Sequence, residues 1–141
     1  MRQDDYRLRS SGRPFAANGC AIMSCFFWAN QITGQVLSPE YVIDKVDEWL
    51  IKRWVTSELY VLNWGRILTD LGVKCQYLGH KPAGIPCLPN EFEILKVTFG
   101  NYGHFLPGDG NGHFVFDPLG RNPRQSKYNL HSKRVFKLEN A

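Results

Sequence analysis

With 141 residues the chain has room for one domain of ordinary size rather than two. Apolar residues make up 43% and charged residues 21%, which excludes a disordered or low-complexity chain. The longest apolar run, residues 20–29, is far short of the roughly 18 residues that would suggest a membrane span.

The net charge of +4 is unevenly spread. Residues 1–13 carry +2, residues 14–117 carry −3, and residues 118–138 hold six Lys or Arg and no acid. A basic end of this kind suits an anionic partner such as nucleic acid or a cell-wall polymer, or else a solvated tail. The opening MRQDDYRLRSSGR has charges with no apolar core behind them. It does not read as a secretory signal, so the expected location is cytoplasmic as synthesised. The four cysteines are then expected reduced, and the absence of a C-x-x-C pair removes zinc-ribbon and thioredoxin readings.

Residues 1–17 read as an irregular, basic lead-in broken by Gly12 and Pro14, and residues 18–141 as a single domain. Asn18–Gly19 is a turn. The apolar run over residues 20–32 is long enough to favour a buried helix, ended by Thr33–Gly34. Ser38, Pro39 and Glu40 start a second helix with a serine N-cap, a proline in the first turn and an acid at the positive dipole end. Val42, Val46, Trp49 and Leu50 give it one apolar stripe. A third helix over residues 63–71 places Trp64, Ile67, Leu68 and Leu71 on one face, with Gly72 as its stop.

Short strands follow at residues 73–78, 92–99, 103–106, 112–116 and 134–138, with a proline-rich loop at 81–89. The turn at 107–111 joins the third and fourth of these strands as a hairpin. Helices first and antiparallel strands afterwards is an α+β order.

Cys20 is the candidate nucleophile. It follows Asn18–Gly19 at the start of a buried helix, where the dipole favours the thiolate and backbone N–H groups can hold an oxyanion. Its alternative role is that of a small buried hydrophobe. Cys25 reads as core, and Cys75 and Cys87 lack a comparable setting.

A base must come from His80, His104, His113 or His131. His104 and His113 each open a His-Phe segment on neighbouring strands. His113 and Asp117, four residues apart in one extended strand, would stand about 13 Å apart, too far for a hydrogen bond. His104, across the hairpin, can stand opposite or diagonal to Asp117. The preferred set is therefore Cys20, His104 and Asp117, with His113 as the competing base. Asp109 sits in the glycine-rich turn and reads as a bonder of local backbone. A metal site of His104, Asp109, His113 and Asp117 is the weaker alternative, because strand side chains alternate faces. No cofactor or metal is expected.

Three features together carry a family resemblance: Asn18-Gly19-Cys20 opening an apolar helix, His104-Phe105 in a strand, and Asp117-Pro118-Leu119-Gly120. The chain resembles the papain-like cysteine peptidases related to bacteriocin-processing enzymes. More narrowly, it resembles a small branch of unknown function carried by phages and spirochaete plasmids. That narrower likeness rests on Gly103–Gly120 and on Ser132-Lys133-Arg134-Val135-Phe136. The resemblance implies a papain-like fold, with helices packed on a C-terminal antiparallel sheet and a Cys20–His104–Asp117 triad. The superfamily also carries a Gln a few residues before the Cys, which serves the oxyanion hole. Here that stretch is Arg13-Pro14-Phe15-Ala16-Ala17, and the only upstream Gln is Gln3. Either the Asn18 side chain takes that role or catalysis is weakened.

The expected function is that of a cysteine hydrolase, a peptidase or amidase cleaving peptide or peptidoglycan amides. Two alternatives are an intracellular peptidase or deconjugase acting on a host protein, and an inactive nucleic-acid-binding module. The last would use Arg121, Arg124, Lys127, Lys133 and Arg134.

Overall fold

The computed structural model describes residues 1–100, 102–120 and 128–139. A 3-10 helix, Tyr6–Ser11, opens the chain, capped by the Asp5 carboxylate accepting from the Arg7 N–H. The lead-in is therefore not irregular. Leu8 and Phe15 are buried in the main core, and that burial fixes the segment more firmly than its breakers loosen it.

A one-turn helix, α1 (Phe15–Asn18), runs through Gly19 into α2 (Cys20–Thr33). Gly19 is required there by close approach: a Cβ at this position would stand 2.5 Å from the Phe15 carbonyl oxygen. Helix α2 ends at Gly34 in the left-handed conformation, φ 75°. Helix α3 (Pro39–Ile51) starts as its sequence dictates, with the Ser38 side chain accepting from the Tyr41 N–H. Its Val42, Val46 and Trp49 are fully buried, while Leu50 packs at the margin. Helix α4 (Trp64–Asp70) is capped by Asn63 and buries Trp64, Ile67 and Leu68. Asp70 then accepts from both Trp49 Nε1 and Lys45 Nζ, tying α4 to α3.

Four strands form one antiparallel sheet in the order β1-β4-β2-β3: β1 (Cys75–Pro82), β2 (Glu91–Phe99), β3 (Tyr102–Gly108) and β4 (Asn129–Leu138). This establishes the α+β class. Phe92, Ile94 and Phe136 point from one face into the helical core, while Leu95, Val97, Leu106 and Phe114 form a second cluster on the other.

The strand expected at 112–116 does not form as such. That segment makes a single bridge, Gly108↔Phe114, beside the end of β3. The principal partner of β3 is β2 instead, which leaves β3 as the edge strand against which α2 packs. Among the described residues, no helix is long and apolar enough to cross a membrane.

Candidate active site

Cys20 is the first residue of α2 and is 7% exposed. As β3 is an edge strand, alternate N–H groups along it point away from the sheet. The N–H of Phe105 reaches Cys20 Sγ at 3.4 Å. His104, one residue earlier, is fully buried and its Nε2 lies 2.7 Å from Asp117 Oδ1. Asp117 also accepts from the Leu119 N–H at 2.8 Å, which shapes the turn that follows. The Phe27 ring of α2 stacks on Phe116 at 5.3 Å and holds the chain next to Asp117 against the helix that Cys20 begins. Phe99 and Tyr102 flank the imidazole, with ring centroids 6.0 and 5.7 Å from it.

The other imidazole nitrogen, Nδ1, is buried and makes no hydrogen bond. Burial alone would lower the His104 pKa, but the hydrogen bond to Asp117 and the nearness of Cys20 outweigh it, and the value lies above the ordinary 6.5. A group raised in this way stabilises the fold fully below its unfolded pKa, and that contribution is lost as pH rises through the folded one. An NMR titration should therefore place the His104 midpoint above 6.5, and Asp117→Asn should lower it. A midpoint below 6.5 would mean that desolvation prevails over the carboxylate.

The structure thus brings Cys20, His104 and Asp117 together, and it sends His113 elsewhere. The His113 side chain is 77% exposed and stands 3.4 Å from Asp109 Oδ2. Asp109 bonds local backbone, accepting from the N–H groups of Asn111 and His113. The four side chains considered as a metal set therefore form two separate pairs, one buried and one at the surface.

Burial raises the other three thiols: Cys25 goes up, Cys75 to about 11, and Cys87 to about 11, with Glu93 adding to the last. They are held protonated at neutral pH.

Gln3 is fully buried, far from its expected irregular surroundings. Its backbone N–H donates to the Pro118 carbonyl at 2.8 Å, and its side-chain amide donates to the Ala16 carbonyl at 2.9 Å. It braces the turn after Asp117 against α1, the one-turn helix that leads into α2. No spacing rule points to it, since the connection is made through space.

Beside Cys20 lies a cleft of about 450 Å³ walled by Asn18, Tyr60, Trp64, Lys96, Phe105 and Arg134, among others. Two residues of the expected basic surface lie elsewhere in the fold. Lys133 is 1% exposed and paired with Glu93 at 2.9 Å, so it cannot meet a polymer. Arg134 lies over the Trp64 and Phe105 rings in the cleft. Arg121, Arg124 and Lys127 lie outside the described residues.

Fold and site define an α+β domain with a buried His–Asp pair beside a cysteine at a helix start. The chain belongs to the family described as DUF261, protein of unknown function, whose model matches residues 1–138. No curated protein and no solved structure matches it.

Proposed function

We propose that this protein is a papain-like cysteine hydrolase acting on peptide amides, with Cys20 as nucleophile, His104 as acid and base, and Asp117 orienting the imidazole. The observation that carries this reading is the His104–Asp117 pair, 2.7 Å apart with both side chains 0% exposed, beside a cysteine at a helix N-terminus. An isolated buried histidine would shed its charge. This one instead has a carboxylate on Nε2, leaving Nδ1 for proton exchange with the thiol.

Cys20 thiolate attacks the amide carbonyl carbon, and the carbonyl π electrons move onto oxygen. Backbone N–H groups at the start of α2 stabilise that oxyanion. Protonated His104 gives its proton to the departing amine as the C–N bond breaks and an acyl thioester remains. Neutral His104 then takes a proton from water, whose oxygen attacks the thioester carbonyl; as the C–S bond breaks, the acid and the Cys20 thiolate are released and His104 is left protonated again. Peptidoglycan peptides are the substrate class that the phage-like resemblance suggests, and a cell-wall digestion assay separates them from a host-protein linker.

Alkylation with iodoacetamide near neutral pH, resolved by site with mass spectrometry, tests the nucleophile. Cys20 is expected to react at least about tenfold faster than Cys25, Cys75 and Cys87, and to lose that advantage in His104→Ala. Faster reaction at Cys87 or Cys25 would remove Cys20 from the role.

A further inference from the structure

Lys96 and Arg134 converge on one aromatic ring beside Cys20. Lys96 Nζ stands 5.8 Å from the Phe105 ring centre, and Arg134 Cζ stands 5.1 Å from it and 5.9 Å from the Trp64 ring. The sheet register explains the convergence. Lys96 pairs with Phe105 across β2 and β3, while Arg134 pairs with Ile94, two residues from Lys96 on the same face.

Both cations are half-buried, and among the described residues neither has a carboxylate within ion-pair distance. Arg134 donates to the Ser132 hydroxyl at 3.1 Å, and burial depresses its guanidinium pKa, partly offset by the Tyr77 phenol. Elsewhere the fold pairs its buried cation, as Lys133 with Glu93 shows. Two like charges gathered at one ring raise the energy of the empty cleft, and an anion would lower it.

The location narrows what that anion is. Phe105, whose ring both cations approach, is also the residue whose N–H meets Cys20 Sγ. A cleft of about 450 Å³ with aromatic walls takes a residue or two of peptide rather than a nucleic-acid strand. A planar carboxylate matches the guanidinium fork, with the ammonium beside it as a second donor.

We propose that the cleft selects peptides bearing a carboxylate next to the scissile amide, held by Arg134 and Lys96 over the Phe105 ring, a role that rests on the reading of Cys20 as nucleophile.

The test is protection of Cys20 from iodoacetamide by three small peptides: N-acetyl-alanyl-glutamic acid α-amide, its glutamine counterpart, and N-acetyl-alanyl-alanine with a free α-carboxylate. Inorganic phosphate is the fourth arm. At least one carboxylate peptide is expected to protect at about tenfold lower concentration than the glutamine peptide, and the better of the two tells side chain from chain terminus. Arg134→Gln should erase that preference. Lys96→Gln, which leaves the packing of Arg134 on Trp64 in place, carries the test if circular dichroism shows Arg134→Gln unfolded.

Equal protection by the acid and the amide would overturn the proposal, and so would protection by phosphate alone or a preference that survives both variants. The same peptides titrated against the Phe105 and Lys96 backbone amide signals read occupancy without thiol chemistry. Amide shifts with an inert Cys20 would sink the nucleophile and leave the carboxylate site standing. A reactive Cys20 with no acid-dependent shift would do the reverse.

Discussion

Asp117→Ala is expected to cut Cys20-dependent hydrolysis of p-nitrophenyl acetate by about 10²–10⁴-fold, while Asp109→Ala changes it by less than about twofold. The two carboxylates each face a histidine, but in opposite settings. Asp117 holds a fully buried imidazole at 2.7 Å, whereas Asp109 meets an exposed ring at 3.4 Å through Oδ2 and accepts from the Asn111 and His113 N–H groups through Oδ1. Removing Asp117 leaves His104 Nε2 buried with no acceptor, lowers the basicity of the ring and frees it to turn. Asp117→Asn separates charge from shape, because an amide oxygen can still accept from the Leu119 N–H. It should fold like the parent and still lose most of the rate. Melting curves for all three variants guard against a loss that is only unfolding. Equal losses from Asp109→Ala and Asp117→Ala, in folded protein, would remove Asp117 from the proposed mechanism.

The elements legible in the sequence are those whose burial follows a local period. Val42, Val46 and Trp49 on α3, and Trp64, Ile67 and Leu68 on α4, are buried as helical spacing requires. The long apolar run of α2 is helical for the same reason. The His104–Asp117 pair forms although the strand expected at 112–116 does not, because the turn and the single Gly108↔Phe114 bridge keep the two segments side by side.

What escapes local reading is what distant segments settle between them. In the strand order β1-β4-β2-β3, the last strand is inserted between the first and second, and no nearby signal encodes that insertion. It places β4 residues inside, so Lys133 is buried where its composition suggests a solvated charge. It also sets Arg134 beside Ile94 and thereby creates the cleft's charge from strands remote in sequence. Gln3 and Leu8 are hidden in the same way: a short, polar, breaker-rich segment becomes ordered by docking on a core built elsewhere.

Glu93→Ala should cost about 3–5 kcal/mol of folding stability, measured by urea denaturation, although Glu93 touches none of the proposed catalytic groups. Both of its carboxylate oxygens are engaged in the interior. Oε1 receives Lys133 Nζ at 2.9 Å and the Cys87 thiol at 3.5 Å, and Oε2 receives the Gly110 and Gly112 N–H groups at 2.9 and 3.2 Å. Alanine would strand a buried ammonium, left with the Ile85 carbonyl and the Cys87 sulfur as partners, and would release the turn over residues 108–112. That turn leads directly into the segment carrying Phe116 and Asp117, so its loosening reaches the His104–Asp117 pair as well as the core. The Glu93→Gln, Lys133→Met double variant removes both charges and keeps a carbonyl oxygen for the two glycine N–H groups. It should recover most of the lost stability, since well-packed apolar groups often replace a buried pair at little cost. A loss below about 1 kcal/mol in Glu93→Ala, or a double variant no more stable than the single, would show that this buried pair does not hold the turn.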